Sequence, residues 1–475
     1  MGGVLMIKDD AIIRVLLKYN FNLFRESKKM SQYMKEHLNN YYEDIINATK
    51  EENNFLSEEF IELLKEDLDH LKEINEEIVS VLSLYESGFV KDAWIKGHIL
   101  FDRVRPFFIY TKLSGGSDGT FYRIRNGDFR IKNTIDSKKQ KSELFHIKDN
   151  LRDRIGSYRY SVAGYPCLYL ASDCELAWFE CGMPKQFSYC RMSIDNSKYN
   201  ALKLIDFSQR PVNFLSAISI KIINERRKKD DPFKAYEYLK KYIIMYPIIA
   251  ACSVKVKNRT TNFIPEYILP QMFMQWIRED EDIDGVYYKS SLNTDLINGM
   301  CACNVALPVK NFREDGLDQS LANKLFVSDI GYIDVSKMFE KYQKYLEELK
   351  TYKEKLFLFS IKSKYPGDYL YELSDLCDCI IKTYTALIEN NYQNTDLIFT
   401  FIDNLFDHSE LIYRYRKRII KQYCEEAKNN FSIEIENIEE RESQFEEFHK
   451  IVQKILYKHA VFSFNFENLE NFEKI

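Results

Sequence analysis

The stretch His146 to Pro184, HIKDNLRDRIGSYRYSVAGYPCLYLASDCELAWFECGMP, joins a basic loop to a short apolar strand and then to a helix that carries an acid. CLYLA (167–171), with Gly164 and Pro166 just before it, reads as a buried strand. Tyr169 alternates with Leu168 and Leu170, so its ring faces away from those neighbours. Ser172 followed by Glu175 has capping-box spacing, which starts a helix there and places Glu180 about two turns in. Counted by helical neighbours, Glu180 stands beside Leu176, Ala177 and Met183, on the apolar side. An unpaired charge on such a face is costly, so Glu180 is either an ion-pair partner of a nearby arginine or a carboxylate kept there for chemistry.

Working outward, more short strand-like runs follow and precede this stretch: TFYRIR (120–125), LKLIDF (202–207), DGVYYKS (284–290) and NVALPV (304–309), mixed with helical pieces. The middle of the chain therefore reads as α+β. A turn-rich segment from Ser114 to Gly119 separates it from a helical beginning over residues 1–113. There the run opening at Ser57 and Glu59 sets Phe60, Leu63, Leu64, Leu68, Leu71, Ile74 and Ile78 on one stripe of a long helix. Past about Asp334 the helical period returns and continues over 334–475, predicting a C-terminal helical domain.

Composition bounds the classes. A chain of 475 residues fits about two or three domains. Aromatic residues at 15% with only 10 Pro and 16 Gly predict a folded chain rather than a disordered one. A net charge of −5, with 67 basic and 72 acidic residues interspersed, offers no broad footprint for nucleic acid. The basic run Tyr413 to Lys421 (YRYRKRIIK) reads as a solvated helix face. The longest apolar run, near Met245 to Val254, is about half of what a bilayer span needs, and no secretion signal is evident, so a cytoplasmic location is expected. Ten cysteines without a Cys-x-x-Cys pair, and only seven His, argue against a zinc site and for reduced, buried thiols. No Walker or Rossmann glycine loop occurs, which disfavours ATP-driven and dehydrogenase chemistry.

FYRIR, LFHIKDNLR, YRYSVAGYPCLYLASDCELAWFE, EYILPQ, IDGVYYKSS and NVAL, in that order over about residues 119–310, resemble the RES domain family. The spacing from Tyr169 to Glu180 is the one that family shows. The resemblance implies an ADP-ribosyltransferase-like fold and an activity that consumes NAD, and the best-known members are bacterial toxins; with the cysteine and histidine pattern above, no metal is expected. Carried over residue by residue, it implies Arg123, Glu180 and Ser290 as the catalytic set, with Arg159, Tyr160 and Tyr169 lining the pocket. Arg125 competes with Arg123, and Ser291 with Ser290, because the motifs are duplicated locally. His146 matches a family His; a loop His of this kind either fixes backbone or contacts phosphate, and the structural role is the expected one. Tyr267 and Gln271 are expected as scaffold for the serine strand. The chain departs from the pattern at Lys289, where Pro is usual, and at Ser161, where Asn is common.

Residue types fit that chemistry. Cleaving nicotinamide from its ribose builds oxocarbenium-like charge that a fixed carboxylate, Glu180, stabilises. The pyrophosphate suits planar guanidinium groups, those of Arg123 and Arg159. Ser290 offers a hydroxyl to orient the nicotinamide amide or the ribose, and no His-and-acid pair beside it makes it a nucleophile. Water attack yields ADP-ribose and phosphate attack a phosphorylated ADP-ribose. Two further readings stay open: ADP-ribose transfer to a protein, and a pocket that senses NAD or ADP-ribose. The helical flanks are expected to regulate the site, alone, with an inhibitory or activating protein, or through a homo-oligomer.

Overall fold

Helical periodicity in the first hundred residues yields α1 (Ala11–Lys18), α2 (Met30–Ala48), α3 (Glu58–Lys65), α4 (Leu68–Glu86) and α5 (Val90–Val104). The computed structural model describes residues 10–334, except 20, 22, 27, 52–54, 114–118, 131–141, 183, 195–200, 228–231, 257–260, 291–302 and 312–315, together with 347, 350, 351 and 354. Ser291, most of the 114–119 turn, the basic run at 413–421 and nearly all of the helical region expected over 334–475 lie outside the described residues.

The run expected as one helix from Ser57 is two, α3 and α4, with a break at Glu66 and Asp67. Ser57 makes no side-chain cap; its hydroxyl donates to the Tyr236 hydroxyl at 3.1 Å. At the break Asp67 stands 2.9 Å from Lys240, whose largely buried ammonium gains its counter-ion there. The stripe is otherwise as the spacing implies, with Ile61 buried and Leu63 at its margin.

After β1 (Tyr110–Leu113) and β2 (Thr120–Asn126) come β3 (Cys167–Ala171), α6 (Cys174–Glu180), β4 (Gln186–Ile194) and β5 (Leu202–Phe207). Two long helices, α7 (Pro211–Arg227) and α8 (Phe233–Ser253), lead to α9 (Ile268–Glu279), β6 (Gly285–Lys289) and β7 (Cys303–Pro308). A short α10 (Gln319–Lys324) precedes β8 (Leu325–Val327) and β9 (Gly331–Asp334). The described strands form one sheet in the order β1-β5-β6-β7-β3-β2-β4-β8, with β9 also on β4. Its pairings are antiparallel except β5 with β6. The whole is a mixed α+β architecture, as the strand runs imply.

Both faces of the sheet are covered, which is why its central strands are apolar on nearly every residue. Ile205, Phe207, Val286 and Ala306 face the helices α1–α5, α8 and α9, with which they form one core. The alternate residues Leu202, Leu204, Val305, Leu307, Leu168 and Leu170 build a second core with Leu144, Phe145 and Leu321. The apolar run near Met245 lies in α8, buried on every side from Tyr242 to Cys252. No helix among the described residues is long and apolar enough to cross a membrane.

Candidate active site

The sheet is weakest between β2 and β3, whose register consists of a single pair, Tyr122 with Ala171. Beside that pair Arg123 Nη1 donates to the Tyr169 carbonyl at 2.9 Å, and a cavity of about 460 Å³ opens against both strands. The volume suits a small-molecule ligand. Arg123, Arg159, Tyr169 and Glu180 share its wall with Asn304, Cys181 and four more tyrosines, Tyr122, Tyr158, Tyr267 and Tyr288.

Glu180 comes to the wall because α6 ends there. Asp173, not Ser172, caps the helix: its Oδ1 accepts from Leu176 N at 2.7 Å. Ser172 instead bridges to β7, its hydroxyl accepting from Cys303 N at 3.2 Å. Gly182, with φ +76°, turns the chain away after the last helical residue. Glu180 is therefore exposed at the cavity rather than packed on the apolar face that residue counting implied. No arginine pairs with it among the described residues. Its Oε1 accepts two hydrogen bonds, from Ser290 Oγ at 2.7 Å and from Asn304 Nδ2 at 2.8 Å. Ser290, one residue past β6, and Asn304, on β7, are both buried.

Arg123 is the deeper of the two duplicated arginines. Burial lowers its pKa from the ordinary arginine value, and the nearby Cys181 and Cys190 offset this in part. Its Nε is buried with no hydrogen-bond partner. Arg125 lies outside the cavity wall, over the Phe129 ring at 4.6 Å, and donates to the Glu143 carbonyl. Arg159 reaches the wall but spends two donors on the end of α8, to the carbonyls of Cys252 at 2.8 Å and Val254 at 3.0 Å. Its guanidinium also lies 5.4 Å from the Tyr267 ring centre.

Tyr169 is clamped at its hydroxyl, which donates to Ser161 Oγ at 3.1 Å and accepts from Tyr160 N at 3.2 Å. Burial raises the phenols of Tyr169 and Tyr288 well above their usual range, so both stay neutral donors. Tyr160 itself is not in the wall; it is buried against Tyr288 with ring centres 4.7 Å apart. His146 is buried away from the cavity. Its Nε2 accepts from Asp318 N at 2.8 Å and Nδ1 meets the Ile147 carbonyl at 2.9 Å, the pattern of a neutral imidazole fixing two backbone segments. Gln271 supports a different element from the serine strand: Nε2 donates to Ser157 Oγ at 2.8 Å and the Tyr158 carbonyl at 2.9 Å, holding the loop that carries Arg159.

Cys181 departs from the expectation of buried thiols, since it is exposed at the cavity. Burial of the sulfur still pushes its pKa up to about 11, so it is a thiol and a poor nucleophile. Asn304 was not singled out from sequence, although a polar residue opening the buried run NVALPV needs an internal partner. The arrangement as a whole is an oriented carboxylate, a guanidinium and aromatic walls, suited to a ligand that carries flat rings and an anionic group.

No protein-family model matches the chain, and no solved structure matches it. The chain is similar to a protein named "Putative toxin YopC" from Bacillus subtilis (strain 168), being 27% identical to it over 264 residues, which span 54% of this chain and 57% of that relative's length.

Proposed function

We propose that the cavity is the active site of a RES-type, ADP-ribosyltransferase-like enzyme that consumes NAD by cleaving the bond between nicotinamide and ribose, and that the protein acts as a toxin. One observation carries the reading most: Glu180 is held by two neutral donors at the wall of a cavity that also contains Arg123. The name of the Bacillus subtilis relative supports the toxin role.

In this reading nicotinamide leaves with the electron pair of its bond to ribose, and the Glu180 carboxylate stabilises the cationic sugar left behind. Attack by water at that carbon releases one proton and gives ADP-ribose, and attack by inorganic phosphate gives a phosphorylated ADP-ribose; nicotinamide is the other product of either. Arg123, at the cavity wall, binds the pyrophosphate. The tyrosine walls pack on the rings and keep bulk water from the cation. Ser290 acts through Glu180, to which its hydroxyl donates.

Total NAD in bacteria expressing the intact chain from a tightly controlled promoter tests this, beside Glu180→Ala and Arg123→Ala at matched protein levels. NAD is expected to fall with the intact chain and to hold with Glu180→Ala, while Arg123→Ala needs a higher NAD concentration for the same rate in vitro. Growth arrest at constant NAD, with ADP-ribose appearing on proteins, overturns NAD consumption in favour of transfer. Unchanged NAD and growth with a folded, NAD-binding protein overturns catalysis in favour of sensing.

A further inference from the structure

The two groups on Glu180 bond the same oxygen. Ser290 Oγ and Asn304 Nδ2 both donate to Oε1, whereas Oε2 has no hydrogen-bond partner among the described residues. We propose that Asn304 is a positioning residue that, together with Ser290, pins Oε1 and presents Oε2 alone to the substrate carbon. The proposal rests on the reading of the cavity as an NAD-cleaving site.

Placement in the sheet makes Asn304 suited to this. It stands on β7 between two strands, opposite Ala171 on β3 and Tyr288 on β6, and is 4% exposed. A residue laddered on both sides cannot follow a moving ligand, so its amide is a fixed donor. The Ser290 hydroxyl rotates about its bond and lies past the end of β6. The amide orientation follows from charge: turned over, Asn304 Oδ1 would face a carboxylate oxygen, acceptor against acceptor. Both donors are neutral, so they orient the carboxylate without cancelling the negative charge that the sugar cation needs. An arginine in the same place would hold Glu180 equally well and remove that field.

Asn304→Ala and Asn304→Asp in the full chain test this by the separate response of kcat and KM for NAD cleavage. The expected result is a fall in kcat of roughly 10- to 100-fold in both, with KM within about 3-fold, because the substrate's other contacts stay in place. Unchanged kcat in both variants overturns the proposal. A stability cycle reads the contact without activity. Asn304→Asp sets two carboxyl groups against each other and is expected to lower Tm, and adding Glu180→Gln is expected to restore it by returning one donor to the pair. Tm changes that simply add overturn the pinning. If the wild-type chain does not cleave NAD, the proposed function fails while the cycle still decides whether Asn304 orients Glu180.

Discussion

His37 on α2 illustrates what burial does to a single side chain here. Its Nε2 accepts from the Tyr246 hydroxyl on α8 at 2.7 Å, and burial pushes its pKa down to about 4. The unfolded chain takes up that proton near the ordinary histidine pKa of about 6.5, whereas the folded one resists it. The contribution is therefore complete above about pH 6.5 and is lost as pH falls through 4, on the order of 3 kcal/mol in all. Urea unfolding at pH 7.5 and pH 5 should show the wild type losing more stability than His37→Gln, which cannot titrate; equal losses would remove His37 as the cause. At the candidate site the same scale separates two kinds of residue. Glu180 and Arg123 stand at the cavity wall, whereas His146 uses both ring nitrogens on backbone and has none to spare.

Helix α8 organises the middle scale. Buried along most of its length, it ends at Ser253, and the carbonyls of Cys252 and Val254 both accept from Arg159. The guanidinium complements the negative end of the helix and satisfies two acceptors, a task for a planar fork rather than a point charge. Arg159→Lys is thus expected to cost about 2 kcal/mol in stability, read as a lower urea midpoint, with Arg159→Ala costing at least as much. An unchanged midpoint together with a raised KM would instead assign Arg159 to the ligand. The loop bearing Arg159 is held from its other side by Gln271 on α9, so two helices set one wall of the cavity.

Across the whole molecule the first hundred residues and the sheet share one interior. Met34, Leu38, Tyr41, Leu71, Ile78 and Phe101 belong to the same buried cluster as Leu239, Ile243, Ile249, Met272 and Phe273. Polar ties follow the same seam: Arg25 bonds Glu266 Oε1 at 2.9 Å, one residue before Tyr267 of the cavity wall, and Lys255 N donates to the Leu23 carbonyl at 2.8 Å. Each large apolar side chain uncovered forfeits about 1.5–3 kcal/mol, and removing α1–α5 uncovers many. A fragment of residues 105–330 is accordingly expected to lack a cooperative thermal transition. Cooperative melting of that fragment with full NAD turnover would show instead that the helices are dispensable.

Local pattern alone determined the strands at 120–125, 167–171, 202–207, 284–290 and 304–309 to within about a residue, the helix bearing Glu180, and the placing of the Tyr169 ring on the face opposite Leu168 and Leu170, because alternation and helical period are properties of neighbours in the chain. The choice between Ser172 and Asp173 as cap was not legible, since both can cap and the answer turned on Cys303 of a distant strand occupying Ser172. Nor was the partner of Glu180, drawn from positions 110 and 124 residues away, or the attachment of Arg159 to a helix end 93 residues on. Tertiary structure decided these because hydrogen bonds between remote segments depend on strand order and register, which no local periodicity encodes.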